Sequence, residues 1–182
     1  LLDLKNELST EEIKLSLNDL IIYSVAKALL LEPRANVQFI DDELRIFKHA
    51  DISLAIATDS GLIAPILRKA DTKSPQEIAT EVKDLAKRAQ IGKLERDEIV
   101  GGTFSVSNLG SYGISQFKAI INPPQGAILA IGVGAEKIIS IDKKPVVANM
   151  MSVSLSCDHR IIDGAVGAEF LKIFKDKIEN PK

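Results

Sequence analysis

Between residues 103 and 157 the sequence carries three strand-like segments and no helix, and this grouping constrains the fold more than any other feature. The segments are Thr103–Asn108, Ala127–Val133 and a long run from Val146 to Cys157. Strands gathered in this way, with helices before and after them, predict an α+β or mixed α/β sandwich, not a regular doubly wound sheet. Two earlier segments read as strands as well, Leu44–Phe47 and Ile52–Ala57. In the second, Ile52, Leu54 and Ile56 occupy one face while small alanines occupy the other.

The helices are legible from periodicity and caps. Leu1, Leu4 and Leu8 mark one amphipathic helix. Asn18 is the expected cap of a second, whose Ile22, Val25, Ala26 and Leu29 repeat at helical spacing until Pro33 forbids continuation. Ser74-Pro75-Gln76-Glu77 is a capping box with proline at the first helical position. It opens a helix that buries Ile78, Val82, Leu85, Ala86 and Ala89 and stops near Gly92. A last helix begins near Asp163, buries Val166, Phe170, Phe174 and Ile178, and ends before Pro181. At 182 residues, 46% hydrophobic and 26% charged, the chain is long enough to bury a real core. A net charge of −2 offers no basic footprint for nucleic acid. Its longest apolar stretches, Leu20–Leu31 and Ala127–Val133, are too short or too polar to span a bilayer.

The chemistry concentrates in Ser156-Cys157-Asp158-His159-Arg160-Ile161-Ile162-Asp163-Gly164, which holds one of only two histidines. A histidine can take a proton in one half-reaction and return it in the other, because its pKa lies near neutrality. Spacing alone also fits a hydrogen-bonded structural histidine. Cys157, the single cysteine, is open to reading as a nucleophile, but as a small apolar residue it is expected to pack inward. Cys157 and His159 are too few for zinc, and His49 stands apart, so no metal site is expected. Gly132-Val133-Gly134-Ala135-Glu136-Lys137 lacks the third glycine of a dinucleotide fingerprint and reads as a strand-end turn. On the strand Thr103–Asn108, Ser105 and Ser107 share one face, which by itself is an ordinary polar surface.

His159-Arg160-Ile161-Ile162-Asp163-Gly164 resembles the H-R-x-x-D-G signature of the dihydrolipoamide acyltransferases, the core subunits of 2-oxo acid dehydrogenase complexes. Ala57-Thr58-Asp59-Ser60-Gly61-Leu62-Ile63-Ala64-Pro65-Ile66 is similar to that family's T-x-x-G-L-I-x-P segment. Gly101-Gly102-Thr103-Phe104-Ser105-Val106-Ser107-Asn108-Leu109-Gly110 is similar to its G-G-T-F-T-I-S-N-L-G segment. Ala119–Gln125 and Met150–His159 extend the likeness across essentially the whole chain, and the latter most resembles the pyruvate-specific branch.

The resemblance implies the chloramphenicol acetyltransferase-like fold, a mixed sheet packed against helices on one side. It implies acetyl transfer between S-acetyldihydrolipoamide, carried on a lipoyl domain, and coenzyme A. His159 would be the general base and Ser107 the oxyanion donor, with Ser105 the alternative should the register shift by two. Asp163 would be structural within the site, paired with an arginine expected upstream of Leu1. Ser60, Gly61, Leu62 and Asn108 are the implied coenzyme A contacts. The site is expected between subunits of a homotrimer built into a 24-mer or 60-mer core, with E1 and E3 components bound through other domains. The expected setting is the mitochondrial matrix or bacterial cytoplasm. Residues 1–182 would then be a catalytic domain without its N-terminal segment, and without lipoyl and subunit-binding domains. A structural core homologue would lose His159 or Ser107, and both are present. An antibiotic or peptide-forming acyltransferase often carries a second histidine where Asp158 stands.

Overall fold

The computed structural model describes residues 1–181, the side chains of Leu2 and Asp3 excepted. Its four α-helices are α1 (Leu2–Leu8), α2 (Leu17–Leu31), α3 (Pro75–Gln90) and α4 (Gly164–Glu179). The central sheet has the order β11-β8-β7-β3-β6, built from β3 (Ile52–Leu54), β6 (Ile66–Leu67), β7 (Phe104–Asn108), β8 (Ala127–Ile131) and β11 (Val153–Cys157). β7 runs parallel to both β3 and β8, and the outer pairings are antiparallel, so the sheet is mixed as expected. Three two-stranded hairpins complete the chain: β1 (Val37–Ile40) with β2 (Glu43–Ile46), β4 (Ile56–Thr58) with β5 (Gly61–Ile63), and β9 (Ala135–Ile141) with β10 (Lys144–Met150).

Register separates the sheet into two chemically distinct faces, because paired residues point the same way. Ser53, Ser105, Ile128 and Ser156 form one row across four strands, and Ser107, Ala130 and Ser154 form the next. The opposite face carries Leu54, Val106, Leu129 and Leu155 in one row and Ile52 and Phe104 in another. Helices α2 and α4 cover this apolar face. Phe104 meets the ring of Phe170 with centroids 5.2 Å apart, and Phe174 stacks beyond at 6.4 Å. Ile22, Val25, Ala26 and Leu29 from α2 are fully buried beside them. Burial of each large side chain contributes roughly 1.5–3 kcal/mol, so this helix–sheet layer is the main stabilising element.

Several boundaries differ from expectation. Ser16, not Asn18, caps α2: its hydroxyl accepts the Asp19 amide at 3.2 Å, and the Asp19 carboxylate accepts the Ser16 amide at 2.7 Å. The capping box of α3 forms as read, with Ser74 and Glu77 bonded reciprocally. The Ile52–Ala57 segment divides at Ala55, whose amide still bonds Val106 before the chain leaves the sheet as β4. The Val146–Cys157 run divides at Met151 and Ser152, because its first part pairs with β9 and its second with β8. The turn expected around residues 132–137 ends sooner, and β9 begins at Ala135. Asp142 and Lys143 take the left-handed turn, at φ 49° and 62°, that folds β10 back on β9.

Candidate active site

Ser105 and Ser107 share the polar face but are held differently. Ser105 is buried and donates to the Gln125 side-chain oxygen at 2.5 Å, while the Gln125 amide donates to Ser53 at 2.8 Å. Ser107 is half-buried, and its hydroxyl has no partner among the described residues. That leaves Ser107, and not Ser105, free to donate to an incoming group. Asn108 points the other way, toward the helices. Its amide donates to Asn18 at 3.0 Å and its oxygen accepts the Gly110 amide at 2.9 Å, so the side chain is already engaged. Ser60, Gly61 and Leu62 lie in and beside the exposed β4–β5 turn, with Leu62 75% exposed. This hairpin leaves β3 at the sheet end where Ser107 lies, since β3 and β7 are parallel.

His159 lies in a tight turn past the end of β11 and is exposed. The turn is fixed by the Asp158 amide, which donates to the Gly126 carbonyl at 2.8 Å, and by Ile161 and Ile162, whose amides return to the Asp158 carbonyl. Arg160 pairs with Asp158 at 2.6 Å and lies over the Phe39 ring at 4.4 Å. This pairing holds the Asp158 carboxyl below the usual carboxylate range. Asp163 caps α4 by accepting the Val166 amide at 2.9 Å. That hydrogen bond, with the Ala165 amide and the nearby Arg34 charge, holds its carboxyl below the ordinary value. Arg34 is itself gripped by the buried Glu32 at 2.6 Å, so it forms a fixed charge at this corner. Cys157 faces the helix layer as expected, and burial pushes its thiol pKa up.

The structure does not bring His159 and Ser107 together within one chain. Ser107 is level with Ala130 and Cys157 with Ala127, which places the two ends about 10 Å apart along the strands at ~3.3 Å per residue. Two inter-strand gaps of ~4.8 Å add about 10 Å sideways. The backbones are thus about 14 Å apart or more, since His159 continues beyond Cys157. His159, Asp163 and Arg34 form one corner; Ser107 and the β4–β5 hairpin form another. Gln125 entered the sequence reading only as the last residue of a family-like segment, and Phe39 not at all, because neither residue type announces a buried contact locally. Only their contacts reveal them.

Against this geometry, the catalytic-domain model of the 2-oxoacid dehydrogenases acyltransferase family matches residues 1–182. The chain belongs to that family. It is 45% identical over its full length to the dihydrolipoyllysine-residue acetyltransferase component of the pyruvate dehydrogenase complex of Rickettsia bellii, covering 44% of that protein. The mitochondrial component of Dictyostelium discoideum is 48% identical over the full length of the chain, which covers 29% of it. The chain thus spans less than half of these acyltransferase relatives.

Among solved structures, the cubic core of the pyruvate dehydrogenase multienzyme complex superposes with a TM-score of 0.89 at 32% identity, over 92% of this chain and 70% of that one. The Azotobacter vinelandii dihydrolipoamide acetyltransferase superposes equally well, at 33% identity over 93% of this chain and 70% of that one. In that enzyme one serine, one histidine and one asparagine were investigated for their role in the catalytic mechanism; they are spaced by 52 and then 4 residues. Ser107, His159 and Asp163 have the same two intervals. Chloramphenicol acetyltransferase, at 15% identity and a TM-score of 0.55 over 88% of this chain and 77% of that one, shares the fold.

Proposed function

We propose that this acyltransferase domain moves an acetyl group from S-acetyldihydrolipoamide, carried on a separate lipoyl domain, to coenzyme A. The observation that carries the reading is the shared spacing of Ser107, His159 and Asp163 with the three residues studied in the Azotobacter enzyme. His159 takes the proton from the coenzyme A thiol, and the resulting thiolate attacks the thioester carbonyl. Ser107 donates a hydrogen bond to the tetrahedral oxyanion, a contribution of about 10²- to 10³-fold in rate. Collapse breaks the bond to the dihydrolipoyl sulfur, which recovers the proton from the His159 imidazolium. The proton count closes, and no acyl-enzyme forms.

Asp163 caps the helix that follows His159, and so fixes the turn instead of moving a proton. The separation of His159 from Ser107 supports a site shared between two copies, as in a homotrimer. Exposed Ser60, Gly61 and Leu62 beside the Ser107 end support a coenzyme A wall there. The likeness to a cubic core supports assembly of trimers into a larger cage, a 24-mer or a 60-mer, serving a pyruvate dehydrogenase complex. Bacterial and mitochondrial relatives alike support a bacterial cytoplasm or a mitochondrial matrix as its place.

The test is His159→Ala in the full-length assembled protein, assayed for acetyl transfer between acetyl-coenzyme A and dihydrolipoamide. Turnover should fall about 10²- to 10⁴-fold with the oligomer intact. Activity within a few-fold of the parent would remove His159 from the chemistry and favour a scaffold role.

A further inference from the structure

We infer that Arg160, Asp158 and Phe39 form a clamp that positions the His159 imidazole, an assignment that rests on His159 being the base. The two residues flanking His159 are tied to one short stretch of chain. Asp158 is held by its amide on the Gly126 carbonyl at 2.8 Å. Arg160 donates to the Asp158 carboxylate through Nε at 3.0 Å and Nη2 at 2.6 Å, and its backbone amide donates to Asp158 Oδ1 at 3.1 Å. Its guanidinium carbon lies over the Phe39 ring, 4.4 Å from the centre, and the Phe39 amide donates to the Pro124 carbonyl at 2.9 Å. Pro124 and Gly126 flank Gln125, whose side chain is locked between Ser53 and Ser105 on the polar sheet face. The contacts therefore close a ring from the sheet through both neighbours of the base and back to the sheet.

Stability does not explain such a ring. The Arg160 side chain is 67% exposed, and an ion pair so open to water contributes little to folding. Position does explain it. The imidazole has two free torsions on an exposed turn, and a misplacement of about 1 Å at a reacting group costs around 10²-fold. The planar guanidinium is needed because one flat fork can grip a carboxylate at two points and also pack over an aromatic ring, which a lysine ammonium cannot do. The pair also cancels its own field at the base: Asp158 and Arg160 flank His159 with opposite charges. The other charged groups at this corner are Asp163, Glu169 and the Arg34–Glu32 pair on the α4 side and Asp42 on the β1–β2 turn.

The experiment uses the full-length assembled acyltransferase and follows kcat, both Michaelis constants and the pH profile of kcat/KM. Arg160→Gln should lower kcat about tenfold or more with both KM values within about twofold. Its acid limb should move up by a few tenths of a pH unit, because the bare Asp158 carboxylate favours the imidazolium. Asp158→Asn should move that limb down, leaving the Arg160 cation uncompensated. The double variant should be no slower than the worse single, since the two residues act as one unit. Arg160→Lys should recover only part of the rate, and Phe39→Leu should resemble it.

A rise in the coenzyme A KM with kcat unchanged would make Arg160 a substrate contact and overturn the clamp. So would additive losses in the double variant, or a parent-like Arg160→Gln. His159→Ala, run beside them, separates the two claims: if it stays active, the base assignment itself falls.

Discussion

Mixing two inactive variants tests the largest structural consequence of this fold. His159 ends the edge strand β11 at one end of the sheet, and Ser107 lies two strands away at the other, about 14 Å distant or more. A hydrogen bond and a proton transfer both require heavy atoms within about 3 Å, so no side-chain rotation closes that gap inside one chain. In a cyclic oligomer each interface would draw His159 from one copy and Ser107 from the next. His159→Ala and Ser107→Ala chains, unfolded together in equal amounts and reassembled, then give about a quarter of interfaces with both groups intact. Acetyl transfer should recover to about a quarter of the parent rate, while either variant reassembled alone stays near its own residual level. The assay needs mass measurement of mixed oligomers before kinetics. Complete failure to complement, in oligomers shown to be mixed, would refute the shared site and require a rearrangement that unites the two residues in one chain.

Ser107→Ala should lower kcat by about two to three orders of magnitude with little change in either KM, because an oxyanion donor acts in the transition state; steady-state kinetics decide it. Ser105→Ala should leave kcat far less affected and instead lower the melting temperature, since it strands the buried Gln125 oxygen. Asp163→Asn should keep activity within a few-fold of the parent, as asparagine also caps helices and fills the equivalent interval in the Azotobacter enzyme. Asp163→Ala should lower both melting temperature and turnover. Because the folded Asp163 carboxyl titrates below its unfolded value, its stabilisation is present above the unfolded pKa and is lost as pH falls through the folded one. The melting temperature of Asp163→Asn should therefore lose that part of the acid dependence.

Helices and central strands were legible because their signals are local. Ser74 with Glu77 names its helix start outright, and Phe170 and Phe174 sit one turn apart on the buried stripe of α4. Where two local signals competed, the tertiary contact decided. Ser16 and Asn18 are both good caps, and Asn18 is diverted to Asn108, leaving the helix start to the Ser16–Asp19 box. Ile52–Ala57 and Val146–Cys157 looked continuous because β-propensity does not record which partner a strand has. Each divides where the partner changes. β9 was missed because its residues are largely exposed and Asp142-Lys143 is not a turn pair that announces itself. At the site, the family motifs named His159, Ser107 and Asp163, but spacing carries no information on distance. That His159 and Ser107 lie at opposite sheet ends emerges only from strand order and register.

Strand order also accounts for the absence of a protein nucleophile from the proposed chemistry. Cys157 lies two residues before His159, but pairing with Ala127 turns it to the helix face, among Leu155 and Gly167. Burial there raises its pKa, which keeps it a thiol when a nucleophile must be a thiolate. Ser105 is buried with its proton committed to Gln125, and Ser107 is about 14 Å or more from the only histidine at the site. Among the described residues neither serine is hydrogen-bonded to a histidine or a carboxylate. His159 meanwhile stands exposed in the turn past the strand end. A base so placed is open to a group that arrives from outside. The thiol of coenzyme A fits that requirement, which supports the proposed transfer from one external thiol to another.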